Sequence, residues 1–238
     1  MSNPFALWVY LSASPLLWLT LTLIVWLFAA YLARLARGHP LVNPVLISIA
    51  LMGAILIATK TPYPSYFEGA QFVHFLLGPA TVAIAVPLVR HRALVRANFL
   101  PMAAALVAGA IVASLSAVAI AAALGAPREV LVSLAPKSVT AGIAMAVSEN
   151  LGGVPALTAV LVIATGILGA VIVTPLMNLL RIGDYAARGF AVGLAAHGIG
   201  TARAFAVDEI AGAFAGVAMG LNGLVTPLIV PLLIAWLL

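Results

Sequence analysis

Long apolar segments without a charged residue constrain the fold of this chain more than any other feature. The first of them, Phe5–Leu32, is longer than the roughly 20 residues that a helix needs to cross a hydrocarbon core of about 30 Å. Only 7% of the 238 residues are charged and 65% are hydrophobic, whereas a soluble domain carries about 25% charged residues. The sequence therefore predicts an all-α polytopic membrane protein.

The apolar segments predict about six full transmembrane helices. They cover residues 5–32, 44–59, 70–89, 101–126, 154–180 and 211–238. Short loops rich in arginine usually remain on the cytoplasmic side of a membrane, and the arginines cluster at positions 34–37, 90–96 and 181–188. This pattern predicts a multi-pass protein of the bacterial inner membrane with its N-terminus outside.

We expect three parts along the chain: an N-terminal helix with its basic loop (1–40), a first bundle half (41–126) and a second bundle half (127–238). The arginines are scattered between apolar segments, so the expected surroundings are a lipid bilayer and not nucleic acid. Small residues dominate the segment 101–126, and small residues let membrane helices approach closely. This composition favours central packing or a subunit contact, and we expect a homo-oligomer, most simply a dimer.

Two polar stretches, residues 133–150 and 189–206, interrupt the apolar pattern. The first contains Lys137 and Glu149, and charges at membrane depth are costly unless they face the protein interior, pair or line a wet path. If this stretch crossed the membrane, the arginines at 181–188 would lie outside, against the positive-inside bias. The sequence therefore predicts broken or re-entrant helical segments, and entry from opposite faces would indicate an inverted repeat.

Several motifs also give the chain a resemblance to a known family. They are LLGPATVAIAVPL at 76–88, PKSVT at 136–140, SE-x-x-GG at 148–153, TGILGA at 165–170 and HGIGTARA at 197–204. In this order they resemble the LrgB/CidB family, which includes antiholin-like proteins, YohK-type inner-membrane proteins and the plastid glycolate/glycerate translocator. Family members commonly read PKSVTTP, whereas Ala141 and Gly142 stand here in place of the last Thr-Pro. This difference leaves the substrate open.

The resemblance implies two accounts of function. The first is secondary transport of small monocarboxylates such as glycolate, glycerate, pyruvate or lactate, coupled to protons or running as exchange. The alternative is an antiholin-like role, in which the protein modulates a holin pore and thereby murein hydrolase export and lysis, with a small LrgA/CidA-type membrane partner. The sequence shows no nucleotide-binding loop, metal-ligand cluster or GxSxG or HExxH motif. We therefore expect neither an enzyme nor a cofactor or metal.

The two polar stretches contain the candidate site residues. A carboxylate substrate needs a cation or a free helix N-terminus and hydroxyl donors, and Pro136 followed by Lys137 can supply the first two. The predicted substrate-binding residues are Lys137, Ser138, Thr140, Asn150, Gly198, Gly200, Thr201, Arg203 and Thr81. The predicted proton-coupling residues are Glu149 and His197, because a histidine titrates near neutral pH.

Simpler roles for these residues remain open at this point. Lys137 and Glu149 can form a structural ion pair instead of serving the substrate and the proton. His197 can be a hydrogen-bonded core histidine, and Arg203 can be a charge that only fixes the topology.

Overall fold

The structure is a computed structural model that describes residues 14–37, 39, 42–83 and 85–237. In this part of the chain every regular element is a helix, which confirms the all-α prediction. The helices are α1 (Pro15–Leu35), α2 (Pro44–Ala58), α3 (Tyr63–Phe75), α4 (Leu77–Ala83), α5 (Ala85–Arg90), α6 (Arg92–Ala97), α7 (Phe99–Ala123), α8 (Arg128–Leu134), α9 (Ala141–Asn150), α10 (Pro155–Leu179), α11 (Tyr185–Phe205) and α12 (Glu209–Leu237). The contacts divide the chain into two compact units, Met1–Ala83 and Ile84–Leu238.

The first unit contains α1 to α4. The buried Trp18 of α1 packs edge-on against Tyr66 of α3, with ring centroids 6.0 Å apart, and Met52 of α2 joins the same cluster. Helix α1 is long and apolar enough to span a membrane, and α2 is a shorter apolar helix. The beginning of the predicted first span, residues 5–13, lies outside the described residues.

The predicted span 70–89 is not one continuous helix in the described residues. Helix α3 ends at Phe75, and two short helices, α4 and α5, follow it. Helix α4 begins directly after the turn at Leu76 and carries Pro79 at its third position. A proline in the first turn of a helix removes an N–H group that has no intrahelical partner, so Pro79 favours a helix start here over a continuous span.

Three long helices, α7, α10 and α12, form the frame of the second unit. All three are long and apolar enough to span a membrane. Helices α7 and α12 run in the same direction, and α10 runs in the opposite direction between them in the sequence. One end of this unit contains the residues 90–98 and 179–188, and we call it the arginine-rich end. Arg90 of α5 lies 3.5 Å from Glu209 at the start of α12 at this end.

The first hairpin consists of α8, the turn 135–140 and α9. Leu131 of α8 and Val147 of α9 belong to one hydrophobic cluster with Val118 near the end of α7 and Ile234 near the end of α12. The first hairpin therefore begins and ends at the end of the second unit that lies opposite the arginine-rich end. Ser133 joins the hairpin to α10, because its hydroxyl accepts a 2.8 Å hydrogen bond from the backbone N–H of Val154.

The second hairpin is α11, which bends sharply at Ala196 and His197. The backbone of His197 has φ 40° and ψ −134°, far from helical values. A β-carbon placed on Gly200 would lie 2.7 Å from the carbonyl oxygen of Val192, although residues eight apart in a straight helix are about 12 Å apart. The second arm therefore folds back along the first, and both arms lie at the arginine-rich end.

The first arm of the second hairpin packs against α12 through small residues. Gly189 and Gly193 lie directly on the backbone of Ala211 and Ala215, so that a side chain on either glycine would overlap α12. Small residues four apart allow this close backbone approach in membrane helices. The two hairpins thus enter the bundle from opposite ends, which confirms the prediction of two broken polar segments.

Candidate functional site

The tips of the two hairpins meet at Asn222 in the middle of α12. Its side-chain amide donates hydrogen bonds to the carbonyl oxygen of Ser138 in the first tip, at 3.2 Å, and to that of Leu194 in the second, at 3.0 Å. The hydroxyl of Thr226 donates to the Asn222 side-chain oxygen at 2.9 Å. One buried amide therefore donates to a backbone carbonyl group in each tip, where the chain turns and the carbonyl groups have no partner within a helix.

The second tip also rests on the middle of α10. The Nε2 atom of His197 lies 3.0 Å from the carbonyl oxygen of Val162. Because a carbonyl oxygen can only accept, Nε2 carries the proton and donates it in this bond. A side chain on Gly166 would overlap the His197 ring, and one on Gly169 would overlap Ala196. The two glycines of the motif TGILGA therefore leave room on the surface of α10, and the second tip packs against them.

Lys137 lies in the first tip and lines a cavity of about 440 Å³ between α10 and the first arm of the second hairpin. Its Nζ atom donates a 3.5 Å hydrogen bond to the hydroxyl of Ser138. Thr165 is the other polar group that lines the cavity. Most of the remaining lining is aliphatic: Leu168, Ile172, Val173, Leu176, Ala191, Val192 and Ala195.

The model of the LrgB-like family matches residues 22–236 of this chain. The chain belongs to the LrgB-like family. YwbG of Bacillus subtilis, an uncharacterized protein, is 36% identical over 195 residues, which cover 82% of this chain and 87% of YwbG. The holin-like protein CidB of Staphylococcus aureus is 29% identical over 219 residues, which cover 92% of this chain and 95% of CidB. No solved structure matches the chain.

In this LrgB-like protein, the structure brings part of the predicted site together at the tips. Lys137, Ser138 and Thr140 belong to the first tip, and Thr140 precedes α9 without a side-chain cap. His197 and Gly198 belong to the second tip, and Gly200 and Thr201 follow on its second arm. The hydroxyl of Thr201 donates to the carbonyl oxygen of His197 at 2.8 Å, so it stabilises the start of that arm. The roles of these residues stay predictions.

The structure places Glu149 and Asn150 away from the tips. Both are exposed at the far end of α9, and the helical rise puts Glu149 roughly 13 Å from Thr140 along the axis. Among the described residues no ion pair joins Lys137 to Glu149. The proximity of these two residues in the sequence suggested such a pair, but α9 carries the carboxylate towards the end of the bundle.

Arg203 lies on the second arm, nearer the arginine-rich end than the tip. It lines a separate small cavity, and its Nε atom is buried without a hydrogen-bond partner. Thr81 belongs to α4 in the first unit, and its side chain lies outside the described residues.

The sequence analysis did not predict two residues of the site. Asn222 lies in the segment 211–238, which was predicted only as the final span. Asn222 and Thr226 are polar residues one helical turn apart in that segment, and this spacing could have indicated the site. Thr165 was noted only as part of a motif. Its hydroxyl makes no hydrogen bond within the described part of the chain, whereas Thr158 in the same helix donates to Ser148 at 2.8 Å.

Replacing Asn222 by leucine is expected to lower the stability of the protein strongly. The change leaves the carbonyl oxygens of Ser138 and Leu194 buried and unpaired, and each such group costs about 1–3 kcal/mol. The measurement is the thermal unfolding midpoint of the detergent-solubilised protein. The control Thr226→Val removes only the bond to the Asn222 oxygen and should have a smaller effect. Equal midpoints for Asn222→Leu and the wild type would contradict this role of Asn222.

Proposed function

We propose that this LrgB-like protein is a secondary transporter of small monocarboxylates. The observation that supports this most is the meeting of two re-entrant hairpins around Lys137 and His197, deep between α10 and α12. Transporters build substrate sites near the membrane midplane from interrupted helices that enter from opposite sides. A half-buried cation beside a cavity fits a small organic anion, since hydrogen bonds to charged groups are stronger than those between neutral groups.

The cavity lining indicates which parts of the acid each group contacts. The ammonium group of Lys137 binds the carboxylate, and the free hydroxyl of Thr165 donates a hydrogen bond to the oxygen on carbon 2 of a hydroxy or keto acid. The aliphatic walls receive the short carbon chain. An apolar site with a few placed polar groups is the usual design of a small-molecule site.

We further propose that His197 takes part in proton coupling. It lies at the tip of the second hairpin, and its Nε2 bond to Val162 leaves Nδ1 as the atom that gains or loses a proton. Asn222 holds the tips that carry His197 and Lys137 together, so an anion bound between the tips and a protonated His197 ring would favour each other. Glu149 remains a proposed proton-coupling residue, but it would act at the end of the bundle, away from the two tips.

The surroundings of the protein belong to the same proposal. The residues 90–96 and 181–188 lie at one end of the second unit, which supports a cytoplasmic position for both arginine clusters. The location in the inner membrane and an N-terminus outside are proposed from the sequence pattern. Assembly as a homodimer and association with a small LrgA/CidA-type partner also remain proposals. No residue has an expected catalytic role.

The test is flux through the purified protein in liposomes. Labelled pyruvate, lactate, glycolate and glycerate are supplied with and without a pH gradient. We expect saturable uptake of at least one acid and stimulation by an inward proton gradient. The absence of saturable uptake or exchange for all four acids would contradict transport.

A holin-like role is the second candidate, and the name of the relative, holin-like protein CidB, favours it. In this account the protein changes the pore of a small membrane partner and carries no acid itself. Liposomes that contain an LrgA-type partner and a trapped dye distinguish the two accounts. A change in dye release on adding this protein, together with no saturable acid flux, would favour the holin-like role.

Replacing Thr165 by valine is expected to reduce discrimination between lactate and propionate, which lacks an oxygen on carbon 2. The loss of one hydrogen bond corresponds to about 1 kcal/mol, so the lactate preference should fall roughly fivefold to tenfold. Thr165→Ser keeps the hydroxyl and should keep the preference. The measurement is the ratio of kcat/KM for the two acids in liposomes. An unchanged ratio in Thr165→Val would remove Thr165 from the site.

A further inference from the structure

The second arm of the second hairpin carries a half-buried arginine, Arg203, that does not line the Lys137 cavity. Arg203 lines a cavity of about 30 Å³ together with Arg188, Tyr185 and Thr174. The Nε atom of Arg203 is buried without a partner, and its guanidinium group makes no ion pair within the described residues. A buried polar group without a partner is costly, and a charged one more so.

The second guanidinium group of this cavity has only neutral partners. Arg188 donates to the carbonyl oxygen of Ile182 at 2.6 Å and to the side-chain oxygen of Asn178 at 2.7 Å. It also lies over the ring of Tyr185, 5.8 Å from the ring centroid. None of these partners neutralises its charge.

The nearby carboxylates are engaged elsewhere. Asp184 accepts hydrogen bonds from the first backbone N–H groups of α11, at 2.7 and 3.2 Å. Asp208 does the same at the start of α12, at 2.8 and 3.0 Å. Two arginines thus face one small cavity without a protein carboxylate to balance them.

The small cavity is the neighbour of the Lys137 cavity. Val173 and Val192 line both of them, so this pair of side chains forms the wall between the two. At about 30 Å³, the small cavity has less than a tenth of the volume of the Lys137 cavity. It exceeds the roughly 10–15 Å³ that one water molecule needs, so it suits a carboxylate group or a halide ion better than a whole organic acid.

We propose that Arg203 and Arg188 form a second anion-binding site, separate from the Lys137 cavity and specific for a carboxylate group or a small inorganic anion. The site concentrates anions at the arginine-rich end of the second unit, beside the transport cavity. Clustered charge of one sign in a cleft raises the local concentration of counter-ions by about tenfold or more. Because the proposal concerns binding, it stands or falls independently of the transport activity.

The test uses the absence of cysteine in the native chain. Thr174 lines the small cavity and is partly exposed, so Thr174→Cys places a single thiol that a reagent reaches at the mouth of the cavity without entering it. The modification rate is measured in membranes with an anionic sulfonatoethyl and a cationic trimethylammonioethyl methanethiosulfonate. We expect the ratio of anionic to cationic rate to fall about tenfold when Arg203→Gln is added. Arg203→Lys retains the charge and should largely retain the ratio.

Protection by added anions identifies the ligand. Chloride or lactate should slow the anionic reagent, whereas the neutral lactamide should not. Protection by lactate identifies a site for organic carboxylates, and protection by chloride alone identifies an inorganic anion site. The same ratio with Arg203 and with Arg203→Gln, in variants of equal membrane abundance, would overturn the proposal. Equal protection by lactamide and lactate would also overturn it.

Discussion

Replacing Lys137 by methionine is expected to reduce the uptake of monocarboxylates strongly while the protein stays at normal abundance in the membrane. Methionine has a similar length but no charge, so the variant loses the charge-assisted bond to the carboxylate. Such bonds are worth about 1.5–3 kcal/mol, or roughly a tenfold to hundredfold loss in kcat/KM. Labelled uptake in liposomes measures the effect, with membrane abundance measured in parallel.

Two further variants separate this role from a structural one. Lys137→Arg should also fail, because the fork of a guanidinium group does not replace a compact ammonium group in a fitted cavity. The double variant Lys137→Met/Glu149→Gln tests the ion-pair alternative. Recovery of transport in that double variant would remove Lys137 from the substrate site, whereas the exposed position of Glu149 predicts no recovery.

Replacing Gly193 by alanine is expected to destabilise the packing of the second hairpin. The added methyl group would overlap the backbone of Ala215, and backbone cannot move aside as a flexible side chain can. Overpacking of this kind costs about 1–3 kcal/mol, and more where two backbones are in contact. We expect a lower unfolding midpoint, lower membrane abundance and reduced transport per molecule, since the second tip is displaced from Asn222.

Gly220→Ala is the matched control for this prediction. It adds the same methyl group to a membrane helix, but no atom lies within 4 Å of the new position. Alanine also has the higher helix propensity, so this control should be neutral or slightly stabilising. Similar unfolding midpoints for the two variants would contradict the close contact between α11 and α12.

The sequence predicts the membrane class and the two polar segments because their signals are local. Lys137 lies between two apolar segments, and so does the cluster of polar residues around His197. Both therefore differ clearly in polarity from the sequence on either side. The opposite entry of the hairpins follows from the positions of the arginines. The break at Leu76 within the span 70–89 was not predicted, because hydropathy does not register the effect of Pro79 on the start of a helix.

The partners of the site residues could not be predicted because they depend on how distant segments meet. Glu149 is near Lys137 in sequence, yet a helix of ten residues carries it to the end of the bundle. Arg203 is six positions after His197, yet the reversal of the second hairpin brings it back towards the arginine-rich end. Asn222 joins both tips from a helix whose other residues are almost all apolar.

The most direct test of the account asks whether a small acid occupies the Lys137 cavity. Ala195→Cys places a single thiol in the lining of that cavity, and its rate of modification in membranes is measured with increasing lactate or glycolate. The account predicts saturable protection by at least one acid, no protection by the neutral amides, and loss of protection when Lys137→Met is added. Protection that is absent for all the acids, or that persists in Lys137→Met, would contradict a substrate site at the meeting point of the two hairpins.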